Sequence, residues 1–200
     1  MNDAPLGRRR RPLPWATLCV AALAAAAGWP DAVRRFGYDR GQVVAGEWWR
    51  LWTGNLVHFG ATHLGWNLAV FVPAAAWAER LAPTRLRLFL ALAPGGIGLA
   101  LLAFDPALTR YAGLSGVAAG VLALLAFVKL STPSADLWFW RGVVALIAWK
   151  IAAERWLGYA LFAHFSASNI EAVPLAHLAG VALAAIAWAV PARSTRSKTA

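Results

Sequence analysis

The chain has 200 residues, of which 60% are hydrophobic and only 14% are charged. Soluble domains carry about a quarter charged residues, so the composition excludes an ordinary soluble domain and indicates a membrane protein. The formal net charge of +10 would suit a nucleic acid, but the basic residues lie mainly in short segments beside apolar runs, as the positive-inside rule requires. We therefore expect the lipid bilayer, and no nucleic acid, as a partner.

Six apolar runs follow one another along the chain, each near the ~20 residues that a bilayer-spanning helix needs. They are Leu13–Trp29, Thr62–Trp77, Leu86–Phe104, Leu114–Leu130, Leu137–Trp156 and Pro174–Val190. The predicted fold class is an all-α membrane protein with a bundle of six transmembrane helices. We expect the third helix to be broken at Pro94-Gly95-Gly96, with neighbouring spans satisfying the freed backbone groups.

The first run follows a basic head, Arg8–Arg11, and this pattern is typical both of a retained first span and of a cleaved signal peptide. We predict a retained span because the later basic loops agree with it, and cleavage remains the alternative. The domains are then a basic cytoplasmic N-terminus at 1–12, a membrane domain at 13–192 and a basic cytoplasmic tail at 193–200.

Residues 30–60 carry too many charges to cross lipid and too many tryptophans and leucines for a plain linker. A loop that lies partly embedded in the membrane interface fits both properties. With the N-terminus in the cytoplasm, twelve of the nineteen lysines and arginines face the cytoplasm, six face the outside, and Lys150 lies within a span. This distribution predicts that both termini are cytoplasmic.

That orientation brings polar side chains of three spans to one depth near the outer face. Ser115 begins the fourth run, His177 begins the sixth, and His63 and Asn67 lie in the first turns of the second. Strongly polar groups inside a membrane are candidates for function. A serine and a histidine within hydrogen-bond reach form an activated nucleophile and its general base, and His63 and Asn67 would donate to a developing oxyanion.

Small residues would let the fourth and sixth spans approach closely. They are Gly116 and Gly120 after Ser115, and Gly180 and Ala184 after His177. A serine between glycines, as in Gly113-Leu-Ser115-Gly116, is also ordinary helix-packing sequence, so this motif by itself does not indicate catalysis.

Lys150 and Glu154 lie four residues apart in the fifth run and can pair on one helical face. The pair is interpreted either as an internal ion pair that lowers the cost of burying both charges or as a contact for the tail of a substrate. His58 is assigned to the embedded loop or to the mouth of the site, and not to catalysis.

The four histidines also raise a metal or haem hypothesis. They are His58, His63, His164 and His177. Although His63 and His177 lie at one depth, no second pair follows, and the single cysteine, Cys19, is remote from them, so the chain lacks a Cys/His cluster. We therefore predict that the protein uses no metal and no organic cofactor.

At this point the residues resemble the rhomboid family of intramembrane serine proteases, over spans two to six. The motifs that carry the resemblance are Gly113-Leu-Ser115-Gly116, His177-Leu-Ala-Gly180, His63-Leu-Gly-Trp-Asn67 preceded by His58, and Glu47-Trp-Trp-Arg50. The resemblance implies a nucleophile at Ser115, a general base at His177 and oxyanion donors at His63 and Asn67.

Within that family the short chain is most similar to the rhombosortases, which are thought to process exported bacterial proteins. The resemblance implies a location in the bacterial inner membrane. It also implies substrates with a C-terminal Gly-Gly sorting signal and a transmembrane helix. Many rhomboids have an aromatic residue four positions after the nucleophile, whereas this chain has Ala119. Another ring or a hydrogen bond must therefore orient His177.

The resulting hypothesis is a Ser115–His177 dyad without an acidic third member beside it in sequence, with Glu154 of the fifth run left open as that member. Two other classes remain as alternatives. One is a catalytically inactive rhomboid-like protein that binds membrane helices. The other is a small transporter, which would show paired broken helices where this sequence predicts a single break.

Overall fold

The structure is a computed structural model that describes residues 12–29, 31–158 and 173–191. Within these ranges the chain forms nine helices and one two-stranded sheet. The elements are α1 (Trp15–Ala26), α2 (Ala32–Phe36), β1 (Tyr38–Asp39), α3 (Arg40–Val44), α4 (Arg50–Thr53), α5 (Ala61–Leu81), α6 (Pro83–Phe104), β2 (Arg110–Tyr111), α7 (Ser115–Leu130), α8 (Leu137–Leu157) and α9 (Pro174–Ala189). The basic head Arg8–Arg11, His164 and the basic tail at 193–200 lie outside the described residues.

The six longer helices, α1 and α5 to α9, coincide with the six apolar runs to within a few residues. Among the described residues, only α6 is both long and apolar enough to cross a membrane on length and composition. Helices α1, α7 and α9 are apolar but have 12 to 16 residues. Helices α5 and α8 have 21 residues each and carry buried glutamates, Glu79 and Glu154.

Helix α7 is the centre of the bundle and packs against α5, α6, α8 and α9. Nine of its 16 residues are buried, which leaves no polar face and is typical of a helix surrounded by other helices. Large apolar side chains of its neighbours, among them Phe71 of α5 and Phe89 of α6, are fully buried in the same core. The first residue of α7 therefore has a fixed position relative to four other helices.

The prediction that the third span is broken at Pro94 is wrong, because α6 continues from Pro83 to Phe104. The Asn55 side-chain amide donates to the Pro94 carbonyl at 3.0 Å and to the Leu51 carbonyl at 3.1 Å. A Cβ added at Gly95 would lie 2.4 Å from the Trp52 ring, and one at Gly98 would lie 2.5 Å from the Leu51 carbonyl oxygen. Gly95 and Gly98 thus leave a groove on α6, and the loop that contains Leu51 and Trp52 packs into it.

Residues 31–60 form an ordered loop of three short helices, and Arg50 is its central side chain. The Arg50 guanidinium donates to the carbonyls of Gly37 at 2.9 Å and Arg34 at 3.3 Å, and to the Glu47 carboxylate at 2.5 Å. Arg50 is only 7% exposed, so these acceptors compensate the cost of burying its charge. The predicted embedded loop is therefore a rigid part of the molecule.

Candidate active site

Ser115 is the first residue of α7, and the segment before it is held by the ordered loop. Strand β2 pairs with β1, with Tyr111 opposite Tyr38. The Gly113 N–H donates to the Gly54 carbonyl at 3.0 Å. The first intrahelical bond at this end runs from the Ala118 N–H to the Leu114 carbonyl. Consequently the N–H groups of Ser115 and the next two residues point out of the helix start, where negative charge is favoured.

His58 supports this segment from the loop side. Its Nε2 accepts a hydrogen bond from the Leu114 N–H at 3.2 Å, which requires a neutral ring with its proton on Nδ1. Burial and, to a smaller extent, the neighbouring His63 lower the pKa of His58 from the usual 6.5 to about 4. The ring thus accepts the Leu114 N–H at neutral pH, and His58 is a structural residue at the mouth of the site.

Tyr111 is a site residue that sequence reasoning missed. Its hydroxyl donates to the Gly113 carbonyl at 2.8 Å. Burial raises the pKa of Tyr111 to about 12, against smaller opposing effects from the Ser115 hydroxyl and the Gly116 backbone. The phenol is therefore neutral at physiological pH and borders the nucleophile. A two-residue strand has too few residues for a periodic pattern, so the sequence offered no signal for it.

The helices that carry Ser115 and His177 touch through their glycines. A Cβ added at Gly180 would lie 2.0 Å from the Gly116 carbonyl oxygen, and one at Gly116 would lie 2.8 Å from the Ala176 carbonyl oxygen. A Cβ at Gly120 would lie 2.5 Å from the Gly180 carbonyl oxygen. The backbones of α7 and α9 are therefore in direct contact, as small residues allow. This contact brings the first turns of both helices together, with Ser115 on one and His177 on the other.

The ring of His177 also faces a carboxylate on α8. Glu154 Oε2 lies 3.0 Å from His177 Nδ1, and Glu154 Oε1 accepts from Lys150 Nζ at 2.6 Å. Glu154 is 1% exposed and His177 is 7% exposed. The expected Lys150–Glu154 ion pair is therefore present, and the pair reaches the histidine as well.

His63 and Asn67 lie on α5, and His63 packs against Gly113 in the segment before Ser115. Gly113 has a φ of +140°, and a Cβ there would lie 2.8 Å from His63 Cε1, so only glycine lets this ring approach. The His63 ring packs edge-on against His58 at 5.0 Å and parallel to Phe59 at 6.1 Å between ring centroids. Asn67 donates one amide hydrogen to the His63 carbonyl at 2.9 Å, which leaves its second hydrogen for another acceptor.

His63 and His177 thus have different surroundings: the first packs on Gly113 and the second faces Glu154.

Within residues 12–29, 31–158 and 173–191, no group of three or more His, Cys, Asp or Glu side chains has the arrangement of a metal site. Cys19 is exposed on α1.

In this bundle of apolar helices, a serine, three histidines and an ion pair lie around the start of the central helix, and this arrangement defines the class of protein. It is a helical membrane protein with a polar site among its helices. The chain belongs to the Rhomboid domain family, whose model matches residues 45–193. The matched range contains every candidate site residue described above. Family membership makes the chain a membrane protein related to intramembrane proteases.

Two relatives come from Bacillus subtilis (strain 168). The chain is 36% identical over 98 residues to the rhomboid protease GluP, a stretch that covers 48% of this chain and 19% of GluP. It is 36% identical over 104 residues to YdcA, a candidate rhomboid protease, a stretch that covers 51% of this chain and 50% of YdcA. The chain thus spans about half of YdcA and about a fifth of GluP.

Proposed function

We propose that the protein is a serine-type intramembrane endopeptidase with Ser115 as nucleophile and His177 as general base. The observation that carries the proposal is the backbone contact of α7 and α9, which puts the starts of these two helices side by side. The family membership and the two rhomboid relatives support the same activity. Six membrane spans, with both termini in the cytoplasm of a bacterial inner membrane, complete the proposal.

In the proposed reaction, the Ser115 Oγ attacks the scissile carbonyl carbon while its proton passes to His177 Nε2. The carbonyl oxygen becomes an oxyanion, which accepts hydrogen bonds from the N–H groups at the start of α7, from His63 and from Asn67. His177 then gives its proton to the leaving amine nitrogen as the peptide bond breaks. A water molecule, deprotonated by His177, hydrolyses the acyl-enzyme and restores Ser115.

The proposed substrates are membrane-anchored exported proteins with a C-terminal transmembrane helix, cleaved near the outer face. The rhombosortase-like motifs favour substrates with a C-terminal Gly-Gly sorting signal. Gly113, Gly116 and His58 are proposed as structural residues of the site, since they place the nucleophile segment against α9 and α5.

A cleavage assay tests the proposal. A reporter that ends in a Gly-Gly motif, an apolar helix and a basic tail is co-expressed with the wild type or with a variant. We expect cleavage by the wild type and its loss, by roughly 10³-fold or more, in Ser115→Ala and His177→Ala. Ser131→Ala, at the other end of α7, is the matched control and should cleave like the wild type.

The outcomes separate activity from specificity. If Ser115→Ala or His177→Ala still cleaves at the wild-type rate, these roles are wrong. If the wild type leaves the reporter intact but a serine-reactive phosphonate labels Ser115, the protease proposal stands and the Gly-Gly substrate is wrong. If the phosphonate fails to label Ser115 as well, the result favours the inactive helix-binding alternative.

A further inference from the structure

The sequence predicts a two-residue mechanism, yet the structure places a third ionisable side chain against the histidine. Glu154 reaches across from α8 to α9 and puts Oε2 3.0 Å from His177 Nδ1. Its other oxygen accepts from Lys150 Nζ at 2.6 Å. Because Glu154 is 1% exposed, this carboxylate has almost no access to solvent and interacts with the two ionisable side chains around it.

We infer that Glu154 is a positioning residue for His177, and that Lys150 holds Glu154 in place. The inference rests on the proposed serine protease function. A carboxylate 3.0 Å from Nδ1 fixes the imidazole with its proton on Nδ1, and this leaves Nε2 as the base for Ser115. When Nε2 takes the serine proton, the imidazolium carries a positive charge that the carboxylate stabilises without accepting a proton itself.

Ala119 provides an independent reason for this role. It lies one helical turn after Ser115 on α7 and carries only a methyl group. A methyl group gives His177 no ring to stack on, so the imidazole needs another constraint. The Glu154 carboxylate of α8 provides it, through the 3.0 Å contact of its Oε2 with His177 Nδ1.

Lys150 explains why a carboxylate is tolerated at this depth. A lone buried carboxylate is costly in a membrane protein and is normally paired. Lys150 is 30% exposed by its side chain, whereas Glu154 is 1% exposed, so the lysine reaches the carboxylate from a more open side. Arg85 of α6, which together with α7 and α8 packs against α9, donates to the Val190 carbonyl at the far end of α9. The charged groups that face His177 from α8 are therefore Glu154 and, behind it, Lys150.

The test compares two buried glutamates. Glu154→Gln keeps the size of the side chain and removes the charge, and we expect kcat for reporter cleavage to fall roughly 10- to 150-fold, the range for losing a hydrogen bond to a charged group. KM should stay within about twofold, since Glu154 faces the histidine. Glu79→Gln is the matched control, because Glu79 is also buried in a long helix but lies at the other end of the bundle.

Two further measurements separate positioning from a merely structural role. The rate at which a serine-reactive phosphonate labels Ser115 should fall in Glu154→Gln and remain at the wild-type level in Glu79→Gln, at equal amounts of folded protein. Glu154→Asp keeps the charge on a shorter side chain and should recover part of the lost rate. If Glu154→Gln does not fold, the comparison of Glu154→Asp with Glu79→Gln serves in its place.

The outcomes keep this inference distinct from the proposed function. If the wild type cleaves and Ser115→Ala does not, while kcat of Glu154→Gln equals that of Glu79→Gln, the protease proposal stands and the role of Glu154 is wrong. Where Glu154→Gln does not fold, kcat of Glu154→Asp equal to that of Glu79→Gln has the same meaning. If a change at Glu154 raises KM and leaves kcat intact, Glu154 contacts substrate and the positioning role is also overturned. If the wild type neither cleaves nor labels, both proposals fall.

Discussion

Two buried glutamates, at opposite ends of the bundle, show how differently the protein uses the same side chain. Glu79 on α5 accepts hydrogen bonds from the N–H groups of Ala16 at 3.0 Å and Thr17 at 2.9 Å, and from the Thr17 hydroxyl at 2.7 Å. These donors lie in the first turn of α1 and do not titrate. Glu154 instead lies between two side chains that carry or exchange protons, Lys150 and His177.

The difference teaches how a stabilising contact can be distinguished from a functional one in a membrane bundle. Glu79 lies near the end of α5, and its carboxylate joins α5 to the N-terminus of α1, where a negative charge is favoured. It therefore contributes to stability. Glu154 joins a helix to the proposed base of the site, so its charge changes what His177 can do. Burial alone does not separate the two, since they are 7% and 1% exposed.

The largest effect on reporter cleavage is expected from a change in the glycine contact between α7 and α9. In Gly180→Ala the new Cβ would lie 2.0 Å from the Gly116 carbonyl oxygen, so α9 must move away from α7. A displacement near 1 Å lowers rates by roughly 100-fold, and we expect reporter cleavage to fall by about that factor. Gly142→Ala is the matched control, because nothing lies within 4 Å of a Cβ there. Equal activity of both variants would contradict the role given to the α7–α9 contact.

The second largest expected effect is a pH dependence of the free energy of unfolding, caused by His58. Its pKa is about 4 in the folded protein and 6.5 ordinarily, so between these values the unfolded chain binds more protons. The contribution of His58 to the free energy of unfolding is therefore fully present above pH 6.5. It decreases as the pH falls to 4, by roughly 1–3 kcal/mol. Thermal unfolding in detergent between pH 4 and 7 measures it.

The matched variant for this prediction is His58→Gln. Its side-chain oxygen can accept the Leu114 N–H but does not titrate, so this contribution to the pH dependence should disappear. An unchanged pH profile in His58→Gln would mean that another group causes it. Thus the loop that supports Ser115 is expected to loosen in acid before the helices unfold.

The sequence was sufficient to predict the six longer helices, whereas the roles of the side chains around Ser115 stay a prediction. Apolar runs near the length of a span marked the six longer helices. Loop charges predicted that Ser115, His177, His63 and Asn67 lie at one depth, and this depth stays a prediction. Glycines marked the face where α7 and α9 touch. These features could be predicted because each one depends on a local pattern or on composition.

The remaining features depend on how helices rotate relative to one another, which no local pattern encodes. The Glu154–His177 contact requires α8 to present one face towards α9. The docking of the loop on α6 depends on Asn55, which lies 39 residues earlier and donates to the Pro94 carbonyl. Tyr111 and the short sheet were missed because two-residue strands carry no periodicity. Each of these features joins segments that are distant in sequence, as in the pairing of Tyr111 with Tyr38.

A change at Glu79 is expected to have the smallest effect on activity and the clearest effect on stability. Glu79→Gln replaces a charged acceptor by a neutral amide whose NH₂ group would face donors, so at least one hydrogen bond to α1 is lost. We expect the free energy of unfolding to fall by about 1–3 kcal/mol, while kcat per folded molecule stays at the wild-type level. Thermal unfolding in detergent and reporter cleavage measure the two quantities.

The control for Glu79 is Asp31→Asn, which removes an exposed carboxylate whose ion pair with Arg34 spans 3.4 Å and which should change stability little, because exposed pairs contribute little. If Glu79→Gln unfolds like Asp31→Asn, the bonds to Ala16 and Thr17 do not hold α1 against α5. If Glu79→Gln instead lowers kcat as much as Glu154→Gln does, the two ends of the bundle are coupled, and the separation between a stabilising and a positioning glutamate fails.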